Sequence, residues 1–133
     1  MACLFCLIAA GELPSHPIAE SERAIAFLDI NPGVAGHVLV VPRAHAADLH
    51  ELASDDLSAC AALAREVAGR LVERLACDGV SIVQSNGSAA GQTVFHYHVH
   101  VIPRFEHDAL RAMWLPTEPE QSELAAMAAT LRA

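Results

Sequence analysis

The feature that most constrains this chain is a histidine at every second position of one short segment. Phe95–Ile102 contains only aromatic, β-branched and histidine residues, with Pro103 next, which predicts one β-strand. Because side chains alternate between the two faces of a strand, His96, His98 and His100 should share one face. Successive members would lie roughly 6.5 to 7 Å apart. That spacing suits a phosphate group with its attacking and leaving atoms.

The residues alone leave three interpretations of these alternating histidines. They could be hydrogen-bonded, half-buried structural residues, or ligands of a metal, since paired histidines at this spacing commonly bind one. The third interpretation is a set that includes a catalytic histidine. We favour it, because the near-neutral pKa of imidazole suits nucleophilic attack and proton transfer at pH 7.

A second pattern, Cys3-Leu-Phe-Cys6, lies at the start of the chain. It could be a redox pair, two small hydrophobic residues that fall together by chance, or half of a zinc site. A redox pair usually opens a helix after a strand in a βαβ pattern, which is absent here. The zinc interpretation is favoured, and it requires two further ligands from elsewhere in the chain.

Charge and length exclude several classes of function. The 133 residues carry a formal net charge of −8, which argues against binding to a nucleic-acid backbone or an anionic membrane. No apolar run approaches the ~20 residues of a membrane span, and the first residues lack a signal-peptide pattern. We therefore expect one cytoplasmic domain, 1–133, whose four cysteines are thiols or metal ligands.

Hydrophobic patterns predict four strands besides the histidine segment. They are 17–20, 24–28, 36–42 and 80–84. The first two should form a hairpin, and the third should be central because it is almost continuously apolar. The loop Ser85–Gln92 follows the last of them. Its two glycines would let the backbone approach a ligand, with a plain hairpin loop as the alternative.

One long helix should begin after Ser54, an N-cap residue type, with Asp55 and Asp56 favoured by the helix dipole. Its buried stripe is predicted as Leu57, Cys60, Ala64, Ala68, Leu71 and Leu75. We also expect a short helical turn over 48–52 and a terminal helix over 121–131.

Several segments, in one order along the chain, resemble the histidine triad family. The segment Gly91–Arg104 fits the family's signature of three histidines separated by apolar residues, and 3–14, 27–32 and 36–45 resemble its bacterial zinc-binding members. The resemblance covers about 3–105 and leaves a C-terminal extension, 106–133. It implies an α+β fold with a five-stranded antiparallel sheet, one long and one short helix, and a homodimer. The hydrophobic content of 53% also favours pairing.

The resemblance also implies roles for individual residues. His98 would be the nucleophile, His96 and His100 its catalytic neighbours, and His45 an additional active-site histidine. The implied substrate contacts are Asp29 and Asn31 at the ribose, Gln92 and Thr93 at the α-phosphate, and His100 at the leaving group or a phosphate oxygen. Ser85 departs from the family, which commonly has Asn or Gln there, and Asn86 is the candidate substitute.

Family members with paired cysteines hold zinc with them and two histidines, which implies the ligands Cys3, Cys6, His45 and His96. One zinc per chain would then be structural, since it would hold the N-terminus rather than activate water.

The resulting hypothesis is a nucleotidyl hydrolase or transferase. His98 would attack the α-phosphorus of a nucleoside phosphoramidate or a dinucleoside polyphosphate, and water would release a nucleoside monophosphate from the nucleotidyl-histidine. One alternative is a nucleotide-binding interaction protein without turnover. The other is a zinc hydrolase whose three alternating histidines all bind one metal, which would leave Cys3 and Cys6 without a role.

Overall fold

The computed structural model describes residues 3–110 and 115–133. In chain order the elements are α1 (Leu4–Ala9), β1 (Pro17–Glu20), β2 (Ala24–Leu28), β3 (Val38–Pro42), α2 (Ser54–Leu75), β4 (Gly79–Val83), β5 (Val99–Arg104) and α3 (Gln121–Arg132), with a 3₁₀ turn at Ser88–Ala90. Positions 111–114 of the predicted C-terminal extension lie outside the described residues. No helix in the described ranges is long and apolar enough to cross a membrane.

The five strands form one antiparallel sheet in the order β1-β2-β3-β5-β4. This confirms the predicted α+β fold and the β1–β2 hairpin. All five residues of β3 are buried at the centre of the sheet, as its continuous apolar sequence predicts.

The two faces of the sheet are covered by different helices. One face, which we call the α2 face, carries Val38, Val40, Val99 and Val101 and packs against Leu63 and Val67, among other residues of α2. The opposite face, the α1 face, has a smaller apolar cluster of Phe5, Phe27, Leu39 and Val41. Alternation along β3 separates the two sets, because successive side chains of a strand point to opposite faces.

The start of α2 differs from the prediction. Ser54 is the first helical residue, and the extended residue before it, Ala53, is the N-cap and has no side-chain acceptor. The acidic first turn partly compensates for the missing cap. Its Asp56 is buried and accepts a hydrogen bond from Arg23 at 3.1 Å.

The buried stripe of α2 is also displaced from the predicted one. Leu63 and Val67 are buried, whereas Leu75 is 43% exposed. Leu75 lies beyond the centre of the sheet, beside Gly36, where an added Cβ would come within 2.7 Å of its Cδ1 atom. The backbone of Gly36 has a φ of +97°, so both its conformation and its neighbour favour glycine.

The short helix of the fold is α1, at a position where no helix was predicted. The expected helical turn over 48–52 is a hydrogen-bonded turn instead. Its cause is Asp48, whose Oδ1 accepts hydrogen bonds from the backbone N–H groups of His50 and Glu51. Such local side-chain bonds compete with helical ones. The terminal helix is confirmed as α3 and has no buried residue.

Candidate active site and metal centre

Only His100 of the three alternating histidines lies within a strand, which corrects the prediction of one strand over Phe95–Ile102. The β3–β5 ladder pairs Val40 with Val99 and ends there. Pro42 cannot donate to a longer ladder. The Tyr97 N–H donates to Ala46 O at 2.7 Å instead. His96 and His98 therefore lie in an irregular segment.

The predicted metal ligands come together although they are far apart in sequence. The Sγ atoms of Cys3 and Cys6 lie 3.4 and 3.5 Å from His96 Nδ1, and Cys6 Sγ lies 3.4 Å from His45 Nδ1. The two Nδ1 atoms are 3.3 Å apart. All four donor atoms lie within 4.8 Å of one another. We call these four residues the metal centre.

The spacing of these atoms fits a tetrahedral zinc site. With Zn–S near 2.3 Å and Zn–N near 2.05 Å, a tetrahedron has N···N edges of about 3.3 Å and S···N edges of about 3.6 Å. The observed nitrogen separation of 3.3 Å and sulfur-to-nitrogen separations of 3.4 to 3.5 Å agree with these edges. Two thiolates and two imidazoles are also a donor set that zinc commonly takes.

Neighbouring groups orient the metal centre. His96 is fully buried, and its Nε2–H donates to Pro42 O at 2.9 Å, which leaves the Nδ1 lone pair directed at the thiols. Burial and the adjacent Cys3 thiol raise the pKa of Cys6. A bound cation would reverse that effect, because it favours the thiolate.

Backbone contacts set the tautomers of the other histidines. His98 Nδ1–H donates to the His96 carbonyl at 2.7 Å, which leaves Nε2 with the lone pair. Gly33 N–H donates to His37 Nδ1 at 3.0 Å, so His37 Nε2–H donates to His100 Nδ1 at 2.9 Å. His100 then carries its proton on Nε2. The rings of His98 and His100 are adjacent, with centroids 5.1 Å apart.

The environment of His100 keeps its ring neutral at pH 7. Burial, with the nearby His98 and His37 rings, lowers the pKa of His100 to about 4, although Asp29 opposes the shift. Burial also lowers the pKa of His37. A neutral His100 offers an Nε2–H hydrogen bond rather than a full positive charge.

His98 and His100 lie at the polar end of a cavity of about 440 Å³ on the α1 face. The polar end also includes Asp29, Asn31 and Thr93. The remaining lining is apolar and includes Leu4, Phe5, Ile8, Phe27 and Leu39 among others, and it adjoins the polar residues where the Phe5 ring lies 5.2 Å from that of His98. We call this apolar lining the apolar end of the cavity. The cavity can therefore hold a molecule with one planar apolar end and one anionic end.

A larger groove of about 680 Å³ lies beside α2 and contains no histidine or cysteine among its described lining residues. It is lined by Ile18, Val38 and Leu71, with charged groups at Arg70, Glu73 and Arg74. Of these two cavities, only the smaller one is lined by histidines among the described residues.

Two of the predicted substrate contacts are occupied by other bonds. Gln92 is buried, and its amide donates to Ala47 O at 2.6 Å and Val94 O at 3.0 Å and accepts from Gly87 N–H at 2.7 Å. Both amide hydrogens are used, so its side chain has none left for a phosphate. Gln92 instead holds the loop before Thr93.

Asn86 is likewise tied within the protein. Its Oδ1 accepts hydrogen bonds from Leu49 N–H and the Gln84 amide, both at 2.8 Å, and its own amide donates to Gln84 at 2.9 Å. Asn86 is not one of the described residues that line the cavity. Its contacts favour a role in loop structure over the predicted replacement of Ser85.

Sequence reasoning gave His45 two roles, as a metal ligand and as an additional active-site histidine, and the structure divides these positions between His45 and His37. His45 contacts Cys6 and His96 in the metal centre. The additional histidine beside His100 is His37, which sequence reasoning missed. Its signal was present in the alternation of residues 37, 39 and 41, which places His37 on the same face as Leu39, the ladder partner of His100.

Comparison with known proteins gives consistent matches. The HIT domain matches residues 10–107. The adenosine 5'-monophosphoramidase HNT1 of Saccharomyces cerevisiae is 37% identical over 124 residues, which are 92% of this chain and 76% of the yeast protein.

Two solved structures are similar over nearly the whole chain. A protein of Streptococcus mutans UA159 has a TM-score of 0.92 and 37% identity, covering 98% of this chain and 83% of that one. A zinc-bound histidine triad family protein of Mycobacterium smegmatis has a TM-score of 0.78 and 36% identity, covering 99% and 96%.

Proposed function

The chain belongs to the histidine triad (HIT) family, and on that premise we propose that it is a nucleotidyl hydrolase or transferase. Its substrates are nucleoside phosphoramidates or dinucleoside polyphosphates, attacked at the α-phosphate to release a nucleoside monophosphate. The observation that carries the proposal is the His98 ring, whose Nδ1–H is bound to the His96 carbonyl while the ring lines the cavity beside His100. The activity in the name of the yeast relative supports it.

His98 acts as the nucleophile. Its Nε2 lone pair forms a bond to the α-phosphorus while the bond to the leaving amine or nucleotide breaks, and the leaving group takes a proton from solvent. Water then attacks the phosphorus, the P–N bond breaks to free His98, and the water gives up a proton to solvent, so one difficult displacement becomes two easier ones. The His96 carbonyl stabilises the positive ring that exists during the first step.

His100 and Thr93 bind the reacting phosphate. The Nε2–H of His100 donates to a phosphate oxygen or the leaving atom, and the His37 ring behind it fixes the required tautomer. Thr93 lies at the same polar end of the cavity. Donors held in place before reaction stabilise developing charge without reorganising.

The nucleoside occupies the rest of the cavity. Asp29 and Asn31 contact the ribose, and the base lies against Phe5 and Phe27 at the apolar end. Asp29 keeps acceptor capacity for a hydroxyl, because its Oδ1 has only the Asn31 N–H as a hydrogen-bonded partner among the described residues.

The test is a screen of purified protein for nucleoside monophosphate release from phosphoramidates, dinucleoside polyphosphates and nucleotide sugars. Mass spectrometry of quenched reactions should show a nucleotidyl adduct on His98. His107→Ala, which alters an exposed histidine that is not among the described residues lining the cavity, is the matched control. Tight nucleotide binding without turnover or adduct would favour the interaction-protein alternative. A zinc hydrolase using all three histidines is disfavoured, because His96 Nδ1 faces the thiols.

The metal centre holds one structural zinc per chain. Cys3, Cys6, His45 and His96 are its ligands. The zinc links the N-terminal segment to the sheet. It does not activate water, because all four tetrahedral positions have a protein ligand. Protein purified without added metal should contain one zinc per chain, and Cys3→Ser/Cys6→Ser should contain none. Equal metal content in both proteins would exclude this assignment.

The chain forms one domain, residues 1–133, that pairs as a homodimer in the cytoplasm. Ile82 on the edge strand β4 and Val72 on α2 are 55% and 52% exposed, which suits pairing through the sheet edge and the long helix. Free thiols suit a reducing compartment. Light scattering at micromolar concentration should give twice the chain mass of 14.1 kDa. A value equal to the chain mass would contradict pairing.

A further inference from the structure

Helix α1 stands between the metal centre and the nucleotide cavity and belongs to both. Cys3 precedes the helix and Cys6 lies within it, and both thiols face the metal-binding histidines. Leu4, Phe5 and Ile8 of the same helix line the apolar end of the cavity. A change in the position of α1 must therefore alter both sites.

Few other interactions hold α1 in place. It has six residues and no side-chain cap, and Phe5 is its only buried residue. Within the described chain, the backbone hydrogen bonds of residues 3–13 are all local to that segment. A helix this short is unstable by itself. Its position depends on the packing of Phe5, on the partly buried Ile8 and on the two thiols.

Phe5 contacts a histidine of each site. Its ring centroid lies 5.9 Å from that of His96 and 5.2 Å from that of His98, both in edge-to-face geometry. On its other side it packs against Phe27 at 5.6 Å. Two sets of contacts therefore connect the metal centre to the nucleophile. The first is His96, whose Nδ1 belongs to the metal centre and whose carbonyl accepts the His98 Nδ1–H. The second is Phe5, whose ring contacts both histidines.

We propose that metal loading controls nucleotide binding by fixing α1 as a wall of the cavity, with Phe5 as the positioning residue for His98. Loss of the metal releases α1, opens the apolar end of the cavity and frees the His98 ring on one side. The α2 face stays folded, because its cluster contains no residue of α1. The inference rests on the proposed function only for its ligand class, nucleotides, and it can be tested without turnover.

The first experiment measures adenosine and guanosine monophosphate binding by calorimetry, together with amide hydrogen exchange. Cys3→Ser/Cys6→Ser should lose zinc, bind at least about tenfold more weakly and lose exchange protection in 4–10 while 54–75 stays protected. A tenfold change corresponds to about 1.4 kcal/mol. Chelator-treated wild type should behave alike and recover its affinity on addition of zinc. Unchanged affinity and unchanged protection of α1 in zinc-free protein would overturn the inference.

The second experiment separates Phe5 from the metal. Phe5→Leu should keep zinc but bind nucleotide more weakly and lower kcat, whereas Phe5→Tyr should restore both. Leu63→Ala, on the α2 face, is the control that lowers stability without weakening binding at 25 °C. Full affinity and kcat in Phe5→Leu would refute the positioning role. Absence of turnover by wild type would refute the proposed function. Amide hydrogen exchange of residues 4–10, compared between zinc-loaded and zinc-free protein, would still decide this inference.

Discussion

The two faces of the central sheet differ in what they bury. The α2 face buries aliphatic side chains of α2, β2, β3 and β5 around Cys60 and Val67, both with 0% exposure. The α1 face has a small aromatic and aliphatic cluster that borders His98 and His100. One face thus supplies most of the hydrophobic stabilisation, and the other holds polar rings in defined orientations. Because of this division, the sheet positions the histidines of the α1 face while the larger core on the α2 face contains none of them.

The cysteines show the same division. Cys60 is surrounded by apolar side chains of the α2 face, and burial raises its pKa to about 12, with Asp56 adding to the shift. A thiol in that environment is inert. Cys3 and Cys6 face two imidazole nitrogens instead, which makes them suitable metal ligands. Neighbours, rather than burial alone, decide what a cysteine does here.

Polar groups on the α1 face are buried with their partners. His96 is bound to the Pro42 carbonyl, His37 to Gly33 N–H and His100 to His37. In the described part of the chain, no buried side-chain nitrogen or oxygen lacks a hydrogen-bond partner. A buried polar group without a partner would cost about 1 to 3 kcal/mol. These bonds are what allow imidazoles to occupy the edge of a core.

The largest expected effect is on catalysis at the α1 face. His98→Ala should lose several powers of ten in kcat, because the covalent step disappears. His100→Ala should lose about 10² to 10³ in kcat on substrates with poor leaving groups, because the hydrogen bond from its neutral ring to the leaving atom is lost. Steady-state assays with phosphoramidates of poor and good leaving amines measure both.

The leaving group provides the control for this prediction. A very good leaving group needs less help from His100, so part of the His100→Ala activity should return, whereas His98→Ala should stay inactive. Substantial turnover by His98→Ala, or an adduct on another residue, would reverse the assignment of the nucleophile.

On the α2 face the expected effect is on stability alone. Leu63 is 3% exposed, and Leu63→Ala should lower the free energy of unfolding by about 2 to 5 kcal/mol through lost burial and a cavity. Urea unfolding measures this change, and kcat/KM at 25 °C should equal that of wild type. A parallel fall in kcat/KM of the folded variant would show that the two faces are not independent.

The free energy of unfolding should depend on pH through His100 of the α1 face. The pKa of His100 is lowered to about 4 in the folded protein, mainly by burial, whereas the unfolded value is about 6.5. Between these values the unfolded chain binds a proton that the folded chain excludes. The free energy of unfolding should therefore fall as pH falls, by up to about 1.4 kcal/mol per pH unit.

The measurement compares urea unfolding of wild type and His100→Asn from pH 7 to pH 4. Saturating zinc in both samples removes the shared effect of metal loss at low pH. His100→Asn should show a shallower decline. Identical slopes would mean that His100 does not exclude the proton in the folded state.

The smallest effect is expected at an exposed ion pair between β1 and the residue that follows β3. Arg43 pairs with Glu20 at 2.9 Å, and the Glu20 side chain is 75% exposed. Glu20→Ala should change the free energy of unfolding by less than about 1 kcal/mol, because solvent screens the pair. Thermal unfolding measures the change, and a loss comparable to that of Leu63→Ala would contradict the assignment of stability to the α2 face.

Local sequence patterns were sufficient for most of the fold. Alternation and apolar runs predicted β1, β2 and β3, and helical spacing predicted α2 and α3. One difference arose where a nearby polar group competes with helical bonds, because Asp48 binds the backbone where a short helical turn was expected. The other was a shift of one residue at the start of α2, where Ala53 rather than Ser54 is the N-cap.

The sequence by itself determined which residues could act as nucleophiles or metal ligands, because few side chains can replace an imidazole or a thiol in these roles and their spacing is visible along the chain. Only the tertiary structure decided which of them meet. His37 and His100 are 63 positions apart and pair because β3 aligns Leu39 with His100. The saturation of the Gln92 amide depends in the same way on the distant Ala47 carbonyl. Hydrogen bonds act over about 3 Å, so a residue's role depends on neighbours brought close by strand register.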